Sequence, residues 1–370
     1  MKVLITGQGG FIGGHLKNTL KYLYDKFSII EINSNDINVN SKLDELVSNC
    51  DLIVHLAGVN RLENESDVYN INYNISSLIN KSLKRVKFKG KLIFASSTQE
   101  MLGTFYGRAK KDSREMFAQT SKLLNFKFSG LIIPNVFGPF CKPDYNSFIS
   151  TFSNNIIKNI ETNVDEKSSV NLIYVQNLVN CIINEFSTPS NPKKIIDHDI
   201  SVNVSLVYNQ LKEFHSLYVL KNTIPSLESD FKINLFNTFR SYLYETDYFP
   251  KKYCILEDER GKFAELIKSS TESQYSFSTT NKKFTRGNHF HTRKIERFSV
   301  IQGKAIISIR QVGTSTIYKY QLDGDQPSFI DIPIWFTHNI ENTGDKTLIT
   351  TFWINKFYDE NDTDTFFQKV

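Results

Sequence analysis

The segment "GNHFHTRKIERFSVIQG" sets His289 and His291 two residues apart, with Glu296 five further on and His338 in "DIPIWFTHN" about fifty residues after the first histidine. On a strand, residues two apart face one side, so His289 and His291 project together, and Glu296 follows a turn onto the next strand. Three imidazoles and a carboxylate are nitrogen and oxygen donors that suit Zn²⁺ or another divalent first-row ion. Any one of these histidines alone is as well read as a hydrogen-bonded strand residue; the four donors together read as metal ligands. At the other end of the chain, "TGQGGFIGG" spaces Gly7, Gly10 and Gly13 from the end of a strand into a helix. Glycine lets the backbone turn sharply and approach a pyrophosphate, whose charge then rests on helix N-terminal NH groups. Glu31 ends the second strand about 20 residues on, where a carboxylate can accept from a ribose hydroxyl.

The elements that must carry these residues have two different grammars. From Met1 to about Phe186, the apolar runs "KVLITG", "FSIIEIN", "DLIVHLAG", "KLIFASS" and "FKFSGLIIPN" alternate with amphipathic stretches such as "IGGHLKNTLKYLY" and "YGRAKKDSREMFAQTSKLL". Short apolar strands separated by helices predict βαβ units on a parallel sheet, a doubly wound α/β domain. "STPSNPKK", Ser187 to Lys194, reads as a polar turn opening a weakly patterned substrate lobe that runs to about Asp247. Beyond "FPKKY" the runs "SQYSFSTT", "RFSVIQG", "KAIISIRQV", "STIYKYQL", "SFIDIP" and "TLITTFWIN" are closely spaced strands with hardly a helix signal, which predicts a β-sandwich or barrel. The expected domains are residues 1–247 and 248–370.

Bulk properties narrow the function classes. A chain of 370 residues is long enough for two cores. Its formal charge of +5 is spread along the chain without Lys/Arg blocks, which favours a small anionic ligand over nucleic acid. No apolar run approaches the roughly 20 residues of a membrane span. Met1 leads straight into a strand pattern without a leader, so a cytoplasmic protein is expected. Cys50, Cys141, Cys181 and Cys254 are scattered and read as reduced thiols.

"DLIVHLAG", "IFASST" and "YGRAK" together with the glycine turn resemble the extended short-chain dehydrogenase/reductase family over roughly residues 1–245. The resemblance implies catalytic roles for Ser97, Tyr106 and Lys110, with Thr98 as a stand-in for the serine. It implies cofactor contacts from Gly7, Gly10, Phe11, Ile12, Gly13, Glu31, Leu56, Ala57, Gly58, Tyr106 and Lys110. In that role a lysine ammonium and the cofactor's positive charge let the phenol trade a proton with a carbonyl oxygen, which the serine hydroxyl fixes. A Tyr and Lys four apart on an exposed helix face are otherwise commonplace. Departures concern the substrate: Ser97 and Tyr106 are only nine residues apart, Leu131, Ile132 and Ile133 stand where an arginine is usual, and Tyr174 begins "YVQN" where "YVDD" is frequent. Asn135 and the segment "CKPDYNS", Cys141 to Ser147, remain as candidate substrate contacts, with Lys142 able to meet a phosphate.

The histidine segment resembles the cupin family over about residues 250–370, with His289, His291, Glu296 and Gly303 in one motif and Pro333 and His338 in the other; Trp335 replaces a usual glycine. "EDERGKFAELIK" resembles the sugar-nucleotide 3,5-epimerases and makes Arg260 a candidate substrate contact. A reductase followed by a cupin resembles the bifunctional capsular-polysaccharide and O-antigen enzymes. That resemblance implies carbon 3 epimerisation of a UDP-activated 4-keto-6-deoxy amino sugar in the cupin and NADPH reduction at carbon 4, giving UDP-2-acetamido-2,6-dideoxy-L-talose on the way to UDP-N-acetyl-L-fucosamine. Glu31 and the absence of arginine in "EINSND" lean towards NADH, so both nicotinamides stay open. A homodimer is expected, since cupins often pair through their sheets. Two alternatives remain: a 4-keto reductase with a purely dimerising cupin, and a non-catalytic nucleotide-sensing protein.

Overall fold

A computed structural model describes residues 1–145, 147–271 and 273–370. The chain divides into two units, Met1–Lys212 with Glu228–Thr246, and Asp247–Val370 with Glu213–Leu227. The excursion of Glu213–Leu227 departs from a contiguous division at residue 247. Thr223–Ile224 adds a short parallel strand to Gly261–Ser269, and the Tyr248 hydroxyl donates to the Tyr218 carbonyl at 2.9 Å. A strand of two residues is too short to show a hydrophobic period, so nothing in the sequence marks it.

In the first unit six parallel strands lie in the order Ser28–Ile30, Lys2–Thr6, Leu52–His55, Lys91–Ser97, Lys127–Ile133, Asn191–Ile195. Alternation along each strand feeds two cores. Val3 and Ile5 pack with Leu16, Leu20 and Leu178 on one face, while Leu4, Ile53 and Phe94 pack with Leu43, Leu83 and Phe117 on the other. Covering both faces is why these strands read as unbroken apolar runs. The strand order reverses between Lys2–Thr6 and Leu52–His55, and the crevice beyond such a switch is where doubly wound sheets bind ligands. The turn expected at "STPSNPKK" is corrected by the structure: Asn191–Ile195 is the sixth strand, at the sheet edge. Proline and lysine are usual on edge strands, which is why its composition imitates a loop. A smaller sheet, Asn135–Phe137, Ser169–Tyr174 and Ile200–Asn203, belongs to the same unit.

The helix Phe105–Leu124 carries the tyrosine and lysine. The Thr104 hydroxyl caps its start by accepting from the Gly107 NH at 3.0 Å, and Asn125 ends it in the left-handed region at φ 55°. Its buried stripe includes Ala109, Lys110, Ser113, Arg114, Phe117 and Ser121. Lys110 therefore lies on the inward face of an amphipathic helix.

The second unit is two largely antiparallel sheets around one core of Val300, Ile307, Ile309, Leu322, Ile340 and Leu348. One runs Thr223–Ile224, Gly261–Ser269, Ser273–Thr280, Leu348–Ile354, Glu296–Gln302, Ser328–Ile332, with Leu256–Asp258 beside Gly261–Ser269. The other runs Ile317–Asp323, Lys304–Gln311, Phe336–Asn342, Thr285–Phe290, Phe366–Phe367. Among the described residues the strands form two open sheets and no closed barrel. No described helix is long and apolar enough to cross a membrane, and all four cysteines are free.

Candidate functional site

Strand Lys2–Thr6 passes through the glycine turn into the helix Phe11–Leu23. Gly7 has φ +75°, and a Cβ there would lie 2.8 Å from the Ala57 nitrogen; a Cβ at Gly13 would lie 2.0 Å from the Gly7 oxygen. Those two glycines are required by the fold itself. Gly10 differs: a Cβ there would meet only the Gly7 oxygen, at 3.2 Å, and one at Gly9 would meet nothing within 4 Å. Gly10 is the N-cap of the helix and no side chain caps it, an arrangement that suits an anionic group at the helix N-terminus.

A cavity of about 400 Å³ follows, lined by Gly7, Gly10, Phe11, Ile12, Gly13, Leu56 and Gly58, and by Ser97, Tyr106, Lys110, Asn135 and Lys142. Ala57 lines a neighbouring cavity of about 650 Å³ with Gln8, Ile32, Asn33 and Asn74. Glu31 lines neither. Its side chain is 74% exposed and accepts from Lys17 Nζ at 2.8 Å, which holds the carboxyl below its ordinary range. Asn33 stands at that wall instead, its side chain capping Ser34–Asn38 through the Asn35 and Asp36 NH groups.

Ser97 ends its strand at the cavity, and its Oγ accepts from the Gln99 NH at 3.2 Å, which caps the short turn Thr98–Met101. Thr98 does not line the cavity. Lys110 is 5% exposed; its Nζ donates to the Ala95 carbonyl at 2.9 Å and lies 5.6 Å from the Tyr106 ring centre. Burial pushes the ammonium down to about 8 and the Tyr106 phenol up, with the neighbouring Tyr145 adding to the latter. A phenol held protonated is ready to give a proton to a ketone oxygen that accepts hydride. Beneath Lys110, His55 is bonded to Thr6 Oγ1 at 2.6 Å and Ser76 Oγ at 3.2 Å, and burial together with the Lys110 charge pushes it down to about 3, so it is neutral.

A second cavity of about 1090 Å³ shares Asn60, Gln99, Tyr106 and Tyr145 with the first and adds Arg61, Phe105 and Phe148. Tyr145 belongs to the segment "CKPDYNS" expected to contact substrate, and it borders both cavities; sequence reading missed Asn72. Asn72 Nδ2 donates to the Val59 and Val68 carbonyls at 2.7 and 2.6 Å and its Oδ1 accepts from the Val59 NH at 3.1 Å, holding the loop after Leu52–His55. A polar residue inside a helical run gives no sign of such a task; only the glycine at 58, where a Cβ would lie 2.3 Å from Asn72 Oδ1, hints at a close neighbour.

In the second unit His289 and His338 face each other across paired strands with ring centres 4.6 Å apart, His291 lies just beyond its strand, and Glu296 opens the next. The ligand-capable atoms of all four lie within 4.8 Å of one another. His291 Nδ1 donates to the Asp364 carbonyl at 2.5 Å and His338 Nδ1 to the Phe336 carbonyl at 3.3 Å. Those bonds leave each Nε2 as a lone pair, and each lies 3.1 Å from Glu296 Oε2. None of these three buried atoms has a hydrogen-bond partner. Three converging acceptors without a donor are costly, about 1–3 kcal/mol each, unless a cation sits among them. The donor set fits Zn²⁺ or another divalent ion. Burial pushes His289 down to about 4, towards the neutral form that ligates. Burial works against the Glu296 carboxylate, while the neighbouring His291 and His338 rings pull the group down, towards the ionised form that ligates.

His289, Glu296 and His338 line a cavity of about 280 Å³ with Arg260, Arg286, Phe298 and Phe352. Arg260 pairs with Asp258 at 2.5 Å; Arg286, which sequence reading passed over, donates to the Thr279 carbonyl at 3.1 Å. Arg286 shares a strand with His289, which is the signal that was available. Trp335 does not border this cavity. It takes the left-handed conformation at φ 61° and stacks on Phe290 with ring centres 5.5 Å apart.

The chain matches the NAD dependent epimerase/dehydratase family over residues 3–196 and the polysaccharide biosynthesis C-terminal domain over residues 256–366. A Pseudomonas aeruginosa protein named UDP-2-acetamido-2,6-beta-L-arabino-hexul-4-ose reductase is 29% identical over 379 aligned positions, covering 99% of this chain and 98% of that one. The crystal structure of the capsular polysaccharide assembling protein CapF from Staphylococcus aureus superposes with a TM-score of 0.86 at 31% identity, covering 100% of both chains. UDP-glucose 4-epimerase from Thermotoga maritima shares the fold over 66% of this chain and 99% of its own, at 16% identity and a TM-score of 0.56.

Proposed function

Because this chain belongs to the NAD dependent epimerase/dehydratase family, in the two-domain form of CapF, we propose that it reduces a UDP-activated 4-keto-6-deoxy amino sugar after inverting its carbon 3. The observation that carries the reductase half is the meeting of Ser97, Tyr106 and Lys110 at the cavity of the glycine turn. NADPH, when bound there, supplies the hydride. Tyr106 gives its proton to the oxygen at carbon 4, Lys110 keeps positive charge beside the phenol, and Ser97 holds the ketone oxygen. Asn135, Lys142 and Tyr145 stand around the same cavity to contact the sugar. The product is UDP-2-acetamido-2,6-dideoxy-L-talose, formed in the cytoplasm by a homodimer that uses neither membrane nor nucleic acid.

The epimerase half belongs to the second unit. His289, His291, Glu296 and His338 would hold a divalent ion, which would supply positive charge for a developing enolate oxygen. Arg260 and Arg286 face the same cavity and can orient an anionic sugar. Enolisation needs the ketone, so inversion precedes reduction. Incubation of the 4-keto sugar in deuterated water without NADPH tests this division. Tyr106→Phe protein should exchange the carbon 3 proton faster than the enzyme-free control, whereas His289→Ala/His338→Ala protein should not. Equal exchange by both variants would transfer the epimerisation elsewhere. One observation favours a second reading, a reductase with a structural second unit: apart from the metal-ligand set, Arg260 and Arg286 are the only ionisable groups among the described residues lining that cavity, and neither is a base. Loss of exchange in the double histidine variant decides against it.

A further inference from the structure

The loop joining Ser97 to Tyr106 is short, and it is pinned twice. Gly107, beside Tyr106, packs so tightly on the turn Thr98–Met101 that a Cβ would lie 2.0 Å from the Gln99 oxygen. The second pin is Glu100, on that same turn. Its carboxylate accepts from Arg114 Nε and Nη2 at 2.9 Å each, and the hydroxyl of Ser96, the residue before Ser97, donates to it as well. Arg114 lies one helical turn beyond Lys110 and also donates to the Pro192 carbonyl at 3.3 Å. The Glu100 and Arg114 side chains are only 4% and 8% exposed.

A buried ion pair is a weak source of stability, because the desolvation of both charges offsets their attraction. Its distinctive property is geometric: a guanidinium fork on a carboxylate admits one relative orientation of the two backbones that carry it. Here one backbone carries Ser97 and the other carries Tyr106 and Lys110. We propose that the Glu100–Arg114 pair is a positioning device that sets the Ser97 hydroxyl against Tyr106 and Lys110, an inference that rests on the reductase reading above. Neither residue lines the cofactor or the adjoining cavity, so the pair acts only through its neighbours.

Glu100→Met/Arg114→Met in the full chain replaces the pair with apolar groups of similar volume, a change that buried pairs often tolerate. The melting temperature and NADPH affinity should stay near the parent's. The kcat for ketone reduction should fall roughly 10–100-fold, the scale of a small misplacement of reacting groups, with KM little changed. A kcat within about twofold of the parent at parental stability would reduce the pair to a structural role. Should the double variant fail to fold, Arg114→Lys keeps the charge and loses the fork, and the same loss of kcat is expected. A parent protein without ketone reduction would defeat the reductase reading by itself. Amide hydrogen exchange over residues 96–107 then decides the clamp: faster exchange in the folded variant upholds it, and unchanged exchange overturns it.

Discussion

The two units place their reacting groups by opposite means. In the first, each group hangs from regular backbone: the glycines join a strand to a helix, Ser97 ends a strand, and Tyr106 and Lys110 share a helix face. In the second, the four donors come from three strands and a strand end, and the tautomer of His291 is set by Asp364, 73 residues away. A site hung from sheet and helix inherits its geometry from the hydrophobic core. A site hung from strand ends depends on distant hydrogen bonds. Damage to the first should therefore show as lost chemistry with intact binding, and damage to the second as lost metal.

The largest effect expected is at Tyr106. Tyr106→Phe removes the proton donor and leaves the packing, so ketone reduction should fall on the order of 10²–10⁴-fold while NADPH affinity, read by calorimetry, stays put. A turnover within a few-fold of the parent would mean that the backbone-hung site does not work through this phenol. Next comes His289→Ala. The parent should hold about one divalent ion per chain by elemental analysis, and the variant far less, with the first unit's NADPH affinity unchanged. Equal metal in both would make the histidines structural.

Legibility in the sequence followed the same division. The four inner strands and the helix Phe105–Leu124 were readable because their periods report burial on both faces of one sheet. Ser97, Tyr106 and Lys110 were legible only through the family resemblance of the motifs that hold them, and the strand and helix that carry them bring all three to one cavity. The edge strand Asn191–Ile195 was not, since edge position favours the very residues that mark turns. Position after a strand also says nothing of the pair that Glu31 makes with Lys17. In the second unit the donors announced themselves by type, but Asp364 acts through a contact that no local pattern encodes.

A smaller effect separates activity from stability in the first unit. Lys110, pushed down to about 8 by burial from an ordinary 10.5, binds fewer protons folded than unfolded between those values. Its contribution to stability therefore rises as pH climbs through that window. Its charge, which the proposed proton transfer needs beside the phenol, is lost over the same window. Reductase kcat should fall above pH about 8 while this group's effect on the melting temperature runs upward, and Lys110→Met should remove both trends. A kcat that holds flat to pH 10 would show that the ammonium does not serve the phenol.

The smallest effect tests whether the strand-end site tolerates strain beside it. Trp335 carries a side chain in a left-handed conformation, φ 61°, which costs a non-glycine residue roughly 1–2 kcal/mol. Its ring recovers part of that by stacking on Phe290, a contact of about 0.5–1.5 kcal/mol beyond area burial. Trp335→Ala loses the stack and keeps the backbone cost, whereas Trp335→Gly loses the stack and relieves it. The glycine variant should therefore be the more stable of the two by about 1 kcal/mol, read from denaturant midpoints. The backbone NH of residue 335 donates to the His291 carbonyl at 2.7 Å whatever side chain it bears, so metal content should match the parent in both variants. If the alanine variant alone loses metal, the left-handed backbone at 335 is part of what aims His291, and the strand-end site is more tightly coupled to its surroundings than its four donors imply.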